Sequence, residues 1–230
     1  MQEEKWSHVL DPFKPEWLTG NLCSVSNGIY FLPDTQDRPI KAFGFKPTTF
    51  KHSRRPGSNL DVFPASCAIE INGLIYVFTD EKSFKVEIDD DGRDKLDSSW
   101  SPISSMDDGE KLDFALGELN NKIYVCGGNS GGRNLDIVLS YNLVEDTWSR
   151  VASMTSARSG LGIVSHDGYL YATGGANYDG GHTIFKSVEK YDPKTDTWTL
   201  VADMNHARFG HGVVSIAGKI YVFGGYREEV

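Results

Sequence analysis

Short apolar runs that end in paired glycines recur along the chain at a nearly constant spacing. The clearest copies are residues 123–128 (IYVCGG), 170–175 (LYATGG) and 220–225 (IYVFGG). Weaker copies lie around Tyr30 and Tyr76, so one tyrosine marks each copy at steps of 46, 48, 47 and 50 residues. A fixed period of this size is typical of a repeat architecture. The pattern predicts one structural unit for each step.

A tryptophan series runs in the same frame as the tyrosines. Trp100, Trp148 and Trp198 are separated by 48 and 50 residues, and each stands six residues before a methionine. Trp6 fits the series by its distance to the next tyrosine, whereas His52 occupies the position expected in the second repeat. The early repeats are therefore degenerate and the last two are sharp. Aromatic residues at such fixed positions are expected to fill the gaps between units.

The fourth repeat divides into four short strands at 160–165, 169–173, 187–191 and 197–201. An Asp-Gly pair separates the first two strands, which is a strong hairpin signal, and a proline-containing turn separates the last two. A sustained helical period is absent from the sequence, so an all-β fold is predicted. A small four-stranded sheet cannot bury both faces alone. Stacking copies around an axis covers each face with the next sheet, which predicts a β-propeller of four-stranded antiparallel blades.

The motifs of this repeat resemble the kelch repeat. They are the paired glycines, Val188-Glu189-Lys190-Tyr191-Asp192-Pro193, then Trp198, Met204 and Arg208. The resemblance is specific over 119–226, weaker over 63–106 and faint over 1–62. The first two repeats have Leu32-Pro33 and Thr79-Asp80 in place of the glycine pair. The residues expected to build the repeat are Trp100, Trp148, Trp198, Tyr124, Tyr171, Tyr221, Gly127, Gly128, Gly174, Gly175, Gly224 and Gly225.

One propeller domain is expected over 1–230, with degenerate repeats in 1–110 and clear repeats in 111–226. About five blades can be counted, whereas the resemblance implies six or seven in a closed ring. The ring is therefore expected to be incomplete or truncated. The alternative is that the two ends meet, with a strand at Trp6 completing the blade that begins at Gly210. The edge of an open ring would be exposed to further pairing.

Net charge, cysteine content and the lengths of the apolar runs indicate which partners, sites and locations are unexpected for this chain. The formal net charge of -9 disfavours nucleic acid and anionic membrane surfaces. Three scattered cysteines without CxxC spacing indicate neither a disulfide framework nor a zinc site. The chain begins without a secretory signal, and its apolar runs are too short to span a membrane. A cytoplasmic or nuclear location is expected.

Three sequence patterns could indicate catalysis or metal binding, but each lacks a feature that such a site requires. Residues 128–132 read G-x-S-x-G, but a nucleophile elbow needs a following helix, and the next segment lacks helical periodicity. His206 and His211 lie on a loop-to-strand corner and do not converge on one point, as metal ligands must. The acidic run at 89–91 lacks the pattern of a calcium loop. The sequence therefore predicts no catalytic residue, metal or cofactor.

A partner is expected on the face formed by two sets of loops. The resemblance implies that the arginines ten residues after two tryptophans, Arg158 and Arg208, point into a bowl over the channel and hold acidic peptides. The alternative is that both arginines pair with a neighbouring blade. The loops after the glycine pairs vary while their flanks repeat, as expected of binding loops on a rigid scaffold. The predicted face also contains Asn129, Arg133, Asn177, Tyr178 and Tyr226.

The function expected from the resemblance is protein–protein interaction without a cofactor. A substrate-recognition or scaffold role in a ubiquitin-ligase adaptor fits best, although residues 1–230 lack the BTB or F-box module that often precedes such domains. The alternative is a small-molecule enzyme, such as a sugar mutarotase or isomerase, which would need Arg, Glu and His converging at the channel mouth. A third possibility is a shortened gene product without independent function. The partner would be a protein or peptide, which the arginines suggest is acidic.

Overall fold

A computed structural model describes residues 20–25, 28–33, 43–45, 65–79, 83–87, 101–106 and 113–226. For residues 20–25, 28–33 and 43–45, and for 65, 66 and 79, it describes the backbone alone. Trp6, His52, Trp100 and the acidic run at 89–91 lie outside the described residues, and so do the predictions made for them. Every regular element in the described residues is a β-strand, and they form no helix long and apolar enough to cross a membrane.

The first half of the chain contributes two antiparallel sheets. The first sheet has the order β1-β2-β3 and the second sheet has the order β4-β5-β6-β7. Their strands are β1 Gly20–Val25, β2 Gly28–Pro33, β3 Phe43–Phe45, β4 Ala65–Ile71, β5 Leu74–Thr79, β6 Ser83–Glu87 and β7 Ser101–Pro102.

The second half contributes two full four-stranded sheets and one hairpin. Its strands are β8 Ala115–Leu119, β9 Lys122–Cys126, β10 Asn129–Ser130, β11 Arg133–Asn134, β12 Val138–Asn142, β13 Thr147–Val151, β14 Gly162–His166, β15 Tyr169–Thr173, β16 Ala176–Asn177, β17 Thr183–Ile184, β18 Val188–Asp192, β19 Thr197–Leu200, β20 Gly212–Ile216 and β21 Lys219–Phe223. The third sheet contains β8, β9, β12 and β13, and the fourth contains β14, β15, β18 and β19. The strands β20 and β21 form the terminal hairpin. The predicted strands of the fourth repeat are confirmed, with an additional small hairpin, β16–β17, in the loop between its second and third strands.

The strand turns follow from short polar residues that tolerate a left-handed backbone. Asn72-Gly73 and Asp167-Gly168 connect the first two strands of their sheets, and all four residues have positive φ. Two-residue turns of this kind match the twist of antiparallel strands. The hairpin predicted at the Asp-Gly pair of the fourth repeat is confirmed. In the terminal hairpin, Ala217 occupies the position that Asn72 and Asp167 hold in their sheets, with φ +50°.

The sheets stack in chain order, as blades of a propeller do. The first strands of successive sheets lie side by side, β1 by β4, β4 by β8, β8 by β14, and β14 by β20. One apolar cluster lies between the second and third sheets around Tyr76, Phe78 and Tyr141. Another lies between the third and fourth sheets around Tyr124, Leu170 and Trp198. Within the described residues the series is open, because the first sheet and the terminal hairpin do not pack extensively on each other.

A repeated set of side chains joins each blade to the one before it. In the fourth sheet, the Tyr191 hydroxyl donates to Asp196 at 2.8 Å, and the Trp198 indole donates to the Ala152 carbonyl at 2.9 Å. Asp196 also accepts from the Ala152 amide at 2.9 Å. The third sheet repeats these bonds with Tyr141, Asp146 and Trp148 against Ser104. Burial, followed by the bond to Asp196, raises the pKa of Tyr191, which keeps its hydroxyl a donor.

Candidate partner-binding surface

Arg158 and Glu189 form a contact, here named the clasp, that joins the third and fourth sheets. Arg158 lies on the connection from β13 to β14, and its side chain is 0% exposed. One guanidinium nitrogen donates to the Gly174 carbonyl at 2.8 Å, and another lies 2.7 Å from Glu189. Ser187 accepts further bonds at 3.2 and 3.3 Å, and the guanidinium lies 4.6 Å from the centre of the Phe185 ring. All of these groups belong to the fourth sheet and its loop.

The backbone of Arg158 contacts the other sheet. Its carbonyl accepts from the Gly128 amide at 2.9 Å and its amide donates to the Leu135 carbonyl at 3.0 Å. The residue therefore bonds backward through its backbone and forward through its side chain. The prediction that Arg158 contacts a partner is wrong, because no part of its side chain reaches solvent. The alternative of pairing with a neighbouring blade describes it.

Glu189 is a functional part of this clasp that the sequence reading missed. Its carboxylate binds Arg158 through Oε1 and accepts from the Thr155 amide at 2.6 Å through Oε2. Burial lowers the pKa of Arg158, and Glu189 opposes that shift. The available signal was a glutamate inside the β18 motif, 31 residues after the arginine. Since neither side chain of the pair is exposed, it is inaccessible to a small-molecule substrate.

Arg208 stands at the matching position one repeat later and has fewer partners. Its guanidinium donates to the Gly224 carbonyl at 2.7 Å, which reproduces the bond from Arg158 to Gly174. Its carbonyl accepts from the Gly175 amide at 2.9 Å. Its Nε is buried without a hydrogen-bond partner among the described residues. Arg208 is half-buried. Of the bonds that the Arg158 side chain makes, it reproduces the one to the glycine carbonyl.

Two small hairpins after the glycine pairs project from the third and fourth sheets and touch each other. The amide of Tyr178 donates to the Asn134 side chain at 2.8 Å, and the Asn134 amide donates to Asp179 at 2.9 Å. Asn177 is tied down by a bond of 3.0 Å to the Ala157 carbonyl. Thus Asn177 and Tyr178, both predicted for the binding face, lie in one braced loop.

The hairpin of the third sheet carries the other two predicted loop residues. Asn129 accepts from the Gly132 amide at 3.0 Å, which closes its own turn. Arg133 is exposed. Its charge stands next to Asn134, which bonds to the neighbouring hairpin. Arg133 therefore presents an exposed cationic side chain beside the braced loop, whereas Asn129 closes its own turn.

Three rings form an aromatic row along this face, defined by Tyr178, Phe209 and Tyr226. Phe209 and Tyr226 are stacked with centroids 5.3 Å apart, and Tyr178 meets Phe209 edge to face at 6.5 Å. Tyr178 is 44% exposed and Tyr226 is 73% exposed. His182 lies 4.8 Å from Tyr178 and extends the row. The structure brings the predicted Tyr178 and Tyr226 together through Phe209, which the sequence reading missed.

The aromatic row has no counterpart one repeat earlier. Phe209 and Tyr226 pair through a backbone bridge, as Ser159 and Ala176 do in the fourth sheet. Ser159 and Ala176 are buried, whereas their aromatic counterparts are stacked and partly open. The signal for Phe209 was available: it follows Arg208 directly, where the preceding repeat has Ser159 after Arg158.

The serine, histidine and cysteine side chains that could act in catalysis or metal binding occupy structural positions. Ser130 lies in β10 and is followed by β11 rather than a helix, so it is not on a nucleophile elbow. His211 is buried, with Nε2 2.8 Å from the Thr173 hydroxyl. Burial raises the pKa of Cys67 to about 11 and raises that of Cys126, so both thiols stay protonated. Over the described ranges, no group of three or more His, Cys, Asp or Glu side chains could hold a metal ion.

The comparisons with curated proteins point to kelch-repeat proteins. The chain is 37% identical over 94 residues to Kelch-like protein 35 of Mus musculus, covering 41% of this chain and 15% of that protein. It is 30% identical over 126 residues to Kelch-like protein 41 of Rattus norvegicus, covering 54% and 21%. An F-box/kelch-repeat protein of Arabidopsis thaliana is 25% identical over 195 residues, covering 82% and 38%. The chain thus spans 15–38% of these relatives' lengths.

A solved structure and a family description complete the comparison. The structure of YjhT superimposes with a TM-score of 0.59 at 18% identity, over 69% of this chain and 56% of that one, which shows a shared fold. The KLHDC2/KLHL20/DRC7 Kelch-repeats domain matches residues 99–228. That match covers more than half of the chain and includes the Arg158–Glu189 clasp and the aromatic row. The protein therefore belongs to the kelch-repeat β-propeller family.

Proposed function

We propose that this chain is a protein–protein interaction module that recognises its partner through the aromatic row and the two small hairpins beside it. The carrying observation is the row itself, because it brings two exposed tyrosines together against the ring of Phe209. Tyrosine supplies a large contact area and a hydroxyl at little cost in side-chain entropy, and aromatic residues dominate binding hot spots. The hairpins add amides, a carboxylate and the Arg133 cation at the rim, as interfaces require.

The biological role that we propose is substrate recognition or scaffolding in a ubiquitin-ligase adaptor. The Kelch-like relatives and the F-box/kelch-repeat relative support this proposal. In this role, the propeller would hold the client and another part of the assembly would hold the ligase. The rigid stacking of the sheets suits such a module, because the binding loops are positioned before the partner arrives. A cytoplasmic or nuclear location is part of the same proposal.

Affinity capture from a cell lysate followed by mass spectrometry tests this function. The full chain would be compared with a Tyr178→Ala, Tyr226→Ala variant that melts at the same temperature. A Val144→Ala, Leu200→Ala variant is the matched control, because those apolar side chains are also exposed, at 82% and 62%, but belong neither to the aromatic row nor to the two small hairpins. Proteins held by the native chain and the control but lost by the tyrosine variant support the proposal. Retention of the same proteins by all three chains contradicts it.

A direct measurement must follow any captured candidate. The purified partner would be titrated into each chain, and the double tyrosine variant should weaken its affinity by about tenfold or more if these rings are hot spots. Ligase subunits among the captured proteins would support the adaptor role. Clients without ligase subunits would support an interaction module and contradict the adaptor assignment.

A further inference from the structure

Asn134 is a buried polar residue of the third sheet's small hairpin that bonds to the loop of the fourth sheet. It lies in β11 and is 6% exposed. Its side-chain nitrogen donates to the Ser159 hydroxyl at 2.8 Å and to the Ala176 carbonyl at 3.3 Å. Its side-chain oxygen accepts from the Tyr178 amide at 2.8 Å, and its own amide donates to Asp179 at 2.9 Å. Both ends of the side-chain amide are therefore satisfied, as burial requires.

The chemistry of these partners requires an amide at this position. The side chain donates at one end and accepts at the other, which asparagine can do and a carboxylate cannot. Turned the other way, its nitrogen would face the Tyr178 amide and its oxygen would face the Ala176 carbonyl. A leucine of nearly the same shape would leave that amide and that carbonyl without these bonds, which is costly for buried polar groups. Asn134 therefore holds residues 176–179 in one position through its hydrogen bonds rather than through its volume.

The fourth sheet carries an apolar residue at the position of Asn134. Asn134 lies opposite Asn129 in the hairpin β10–β11, and Ile184 lies opposite Ala176 in the hairpin β16–β17. An isoleucine side chain forms no hydrogen bonds. By contrast, the bond from tyrosine to aspartate at the blade junction occurs in both the third and the fourth sheets. The repeat is thus built with or without an asparagine at this position, and the bonds of Asn134 act on the neighbouring loop.

We propose that Asn134 is a positioning residue for partner recognition, which holds Tyr178 in its place in the aromatic row from the adjacent blade. This role rests on the proposed function, because it belongs to the same surface. Tyr178 is 44% exposed and meets Phe209 edge to face at 6.5 Å, so ring packing constrains it weakly. A binding loop that is ordered in advance loses less conformational entropy when the partner arrives. Asn134 supplies that order without contacting the partner.

Hydrogen exchange of the chain alone tests the positioning. In an Asn134→Leu chain the Tyr178 amide should exchange about tenfold or more faster than in the native chain, because it has lost its acceptor. The NMR resonances of the Tyr178 ring should move toward those of an exposed tyrosine, whereas the amides of β9 and β15 should exchange as before. Tyr191→Phe is the matched control, since it removes the hydroxyl that bonds to Asp196 at the junction of the same two sheets. It should leave the Tyr178 amide unchanged.

A second variant covers the case in which the leucine chain does not melt as the native chain does. Asn134→Ala removes the same side-chain bonds and leaves room for water, so it should also release the Tyr178 amide. Native exchange at Tyr178 in a folded Asn134 variant would overturn the positioning role. Equal acceleration of this amide in the Tyr191→Phe control would overturn it as well, because the effect would then belong to the blade junction in general.

Affinity capture from a cell lysate connects the positioning to recognition. Proteins that the Tyr178→Ala, Tyr226→Ala variant loses should also be lost or weakened with Asn134→Leu and retained with Tyr191→Phe. Their retention by the Asn134→Leu chain would overturn this role of Asn134 and leave the proposed function intact. Retention of the same proteins by every chain would contradict the proposed function, and the exchange rates, which need no partner, still decide whether Asn134 positions the loop.

Discussion

The guanidinium of Arg158 and the carboxylate of Glu189 form an ion pair of 2.7 Å in which neither side chain is exposed. The pair crosses from the β13–β14 connection to β18 and joins two blades. Taking both charges out of water costs several kcal/mol, which only good geometry and further hydrogen bonds can offset. Here the Gly174 and Ser187 oxygens and the Thr155 amide complete that shell. The stability of the blade interface therefore depends on both partners together.

Breaking this pair on one side should be strongly destabilising. Glu189→Gln or Arg158→Gln should lower the free energy of unfolding by about 3–5 kcal/mol, because one buried group is left uncompensated. Replacing both residues with apolar ones, as in Arg158→Met, Glu189→Leu, should recover part of that loss. Urea unfolding of the native chain and the three variants measures these free energies of unfolding. Single variants that unfold like the native chain would show that the pair contributes little.

Substitution at Gly174 should damage folding. This glycine has φ +56°, and a Cβ there would meet the Arg208 carbonyl and approach His211 to 2.8 Å. A β-branched residue combines backbone strain with a clash against backbone, so Gly174→Val should abolish the cooperative melt or reduce the yield of folded protein. Gly181→Val is the control, since open space surrounds that position. Two identical melting curves would contradict this account.

Replacing Ala217 should stabilise the protein. Ala217 has φ +50° at the turn where the preceding sheets use asparagine or aspartate. Glycine avoids the steric strain of this conformation, and asparagine and aspartate tolerate it, whereas other residues with a side chain are strained there. Ala217→Asn should therefore raise the free energy of unfolding by about 0.5–1 kcal/mol. The reverse change in the fourth sheet, Asp167→Ala, should lower it by a similar amount, and equal effects of the same sign would reject the explanation.

Acidification should destabilise the junction at His211. Burial, and then the charge of Arg208, lower the pKa of His211 from 6.5 to about 4. Between these values the unfolded chain binds a proton that the folded chain does not, so this contribution to stability is lost as the pH falls from 6.5 to 4. Unfolding free energies at pH 7 and pH 4.5 would be compared for the native chain and His211→Gln. The variant should lose less stability on acidification; an equal or greater loss in the variant would contradict the shift.

The amino-acid pattern alone was enough for the fold and its repeat unit. Strand period, Asn-Gly and Asp-Gly turns and the tryptophan spacing are local features, and each is encoded within one repeat. They predicted the strands of the fourth sheet and the resemblance that the family match confirms. They could not decide the role of Arg158, because an arginine ten residues after a tryptophan has the same local sequence whether it faces solvent or a glutamate.

Only the tertiary structure separated those two outcomes. It placed Glu189, which is 31 residues away in the chain, against Arg158 and sealed both from water. It also stacked Phe209 on Tyr226, which are far apart in sequence but paired across the end of the terminal hairpin. The physical reason is that burial depends on which sheet packs on which. Sequence period therefore determined the blade, and the contact between blades decided which of its side chains remain free to bind.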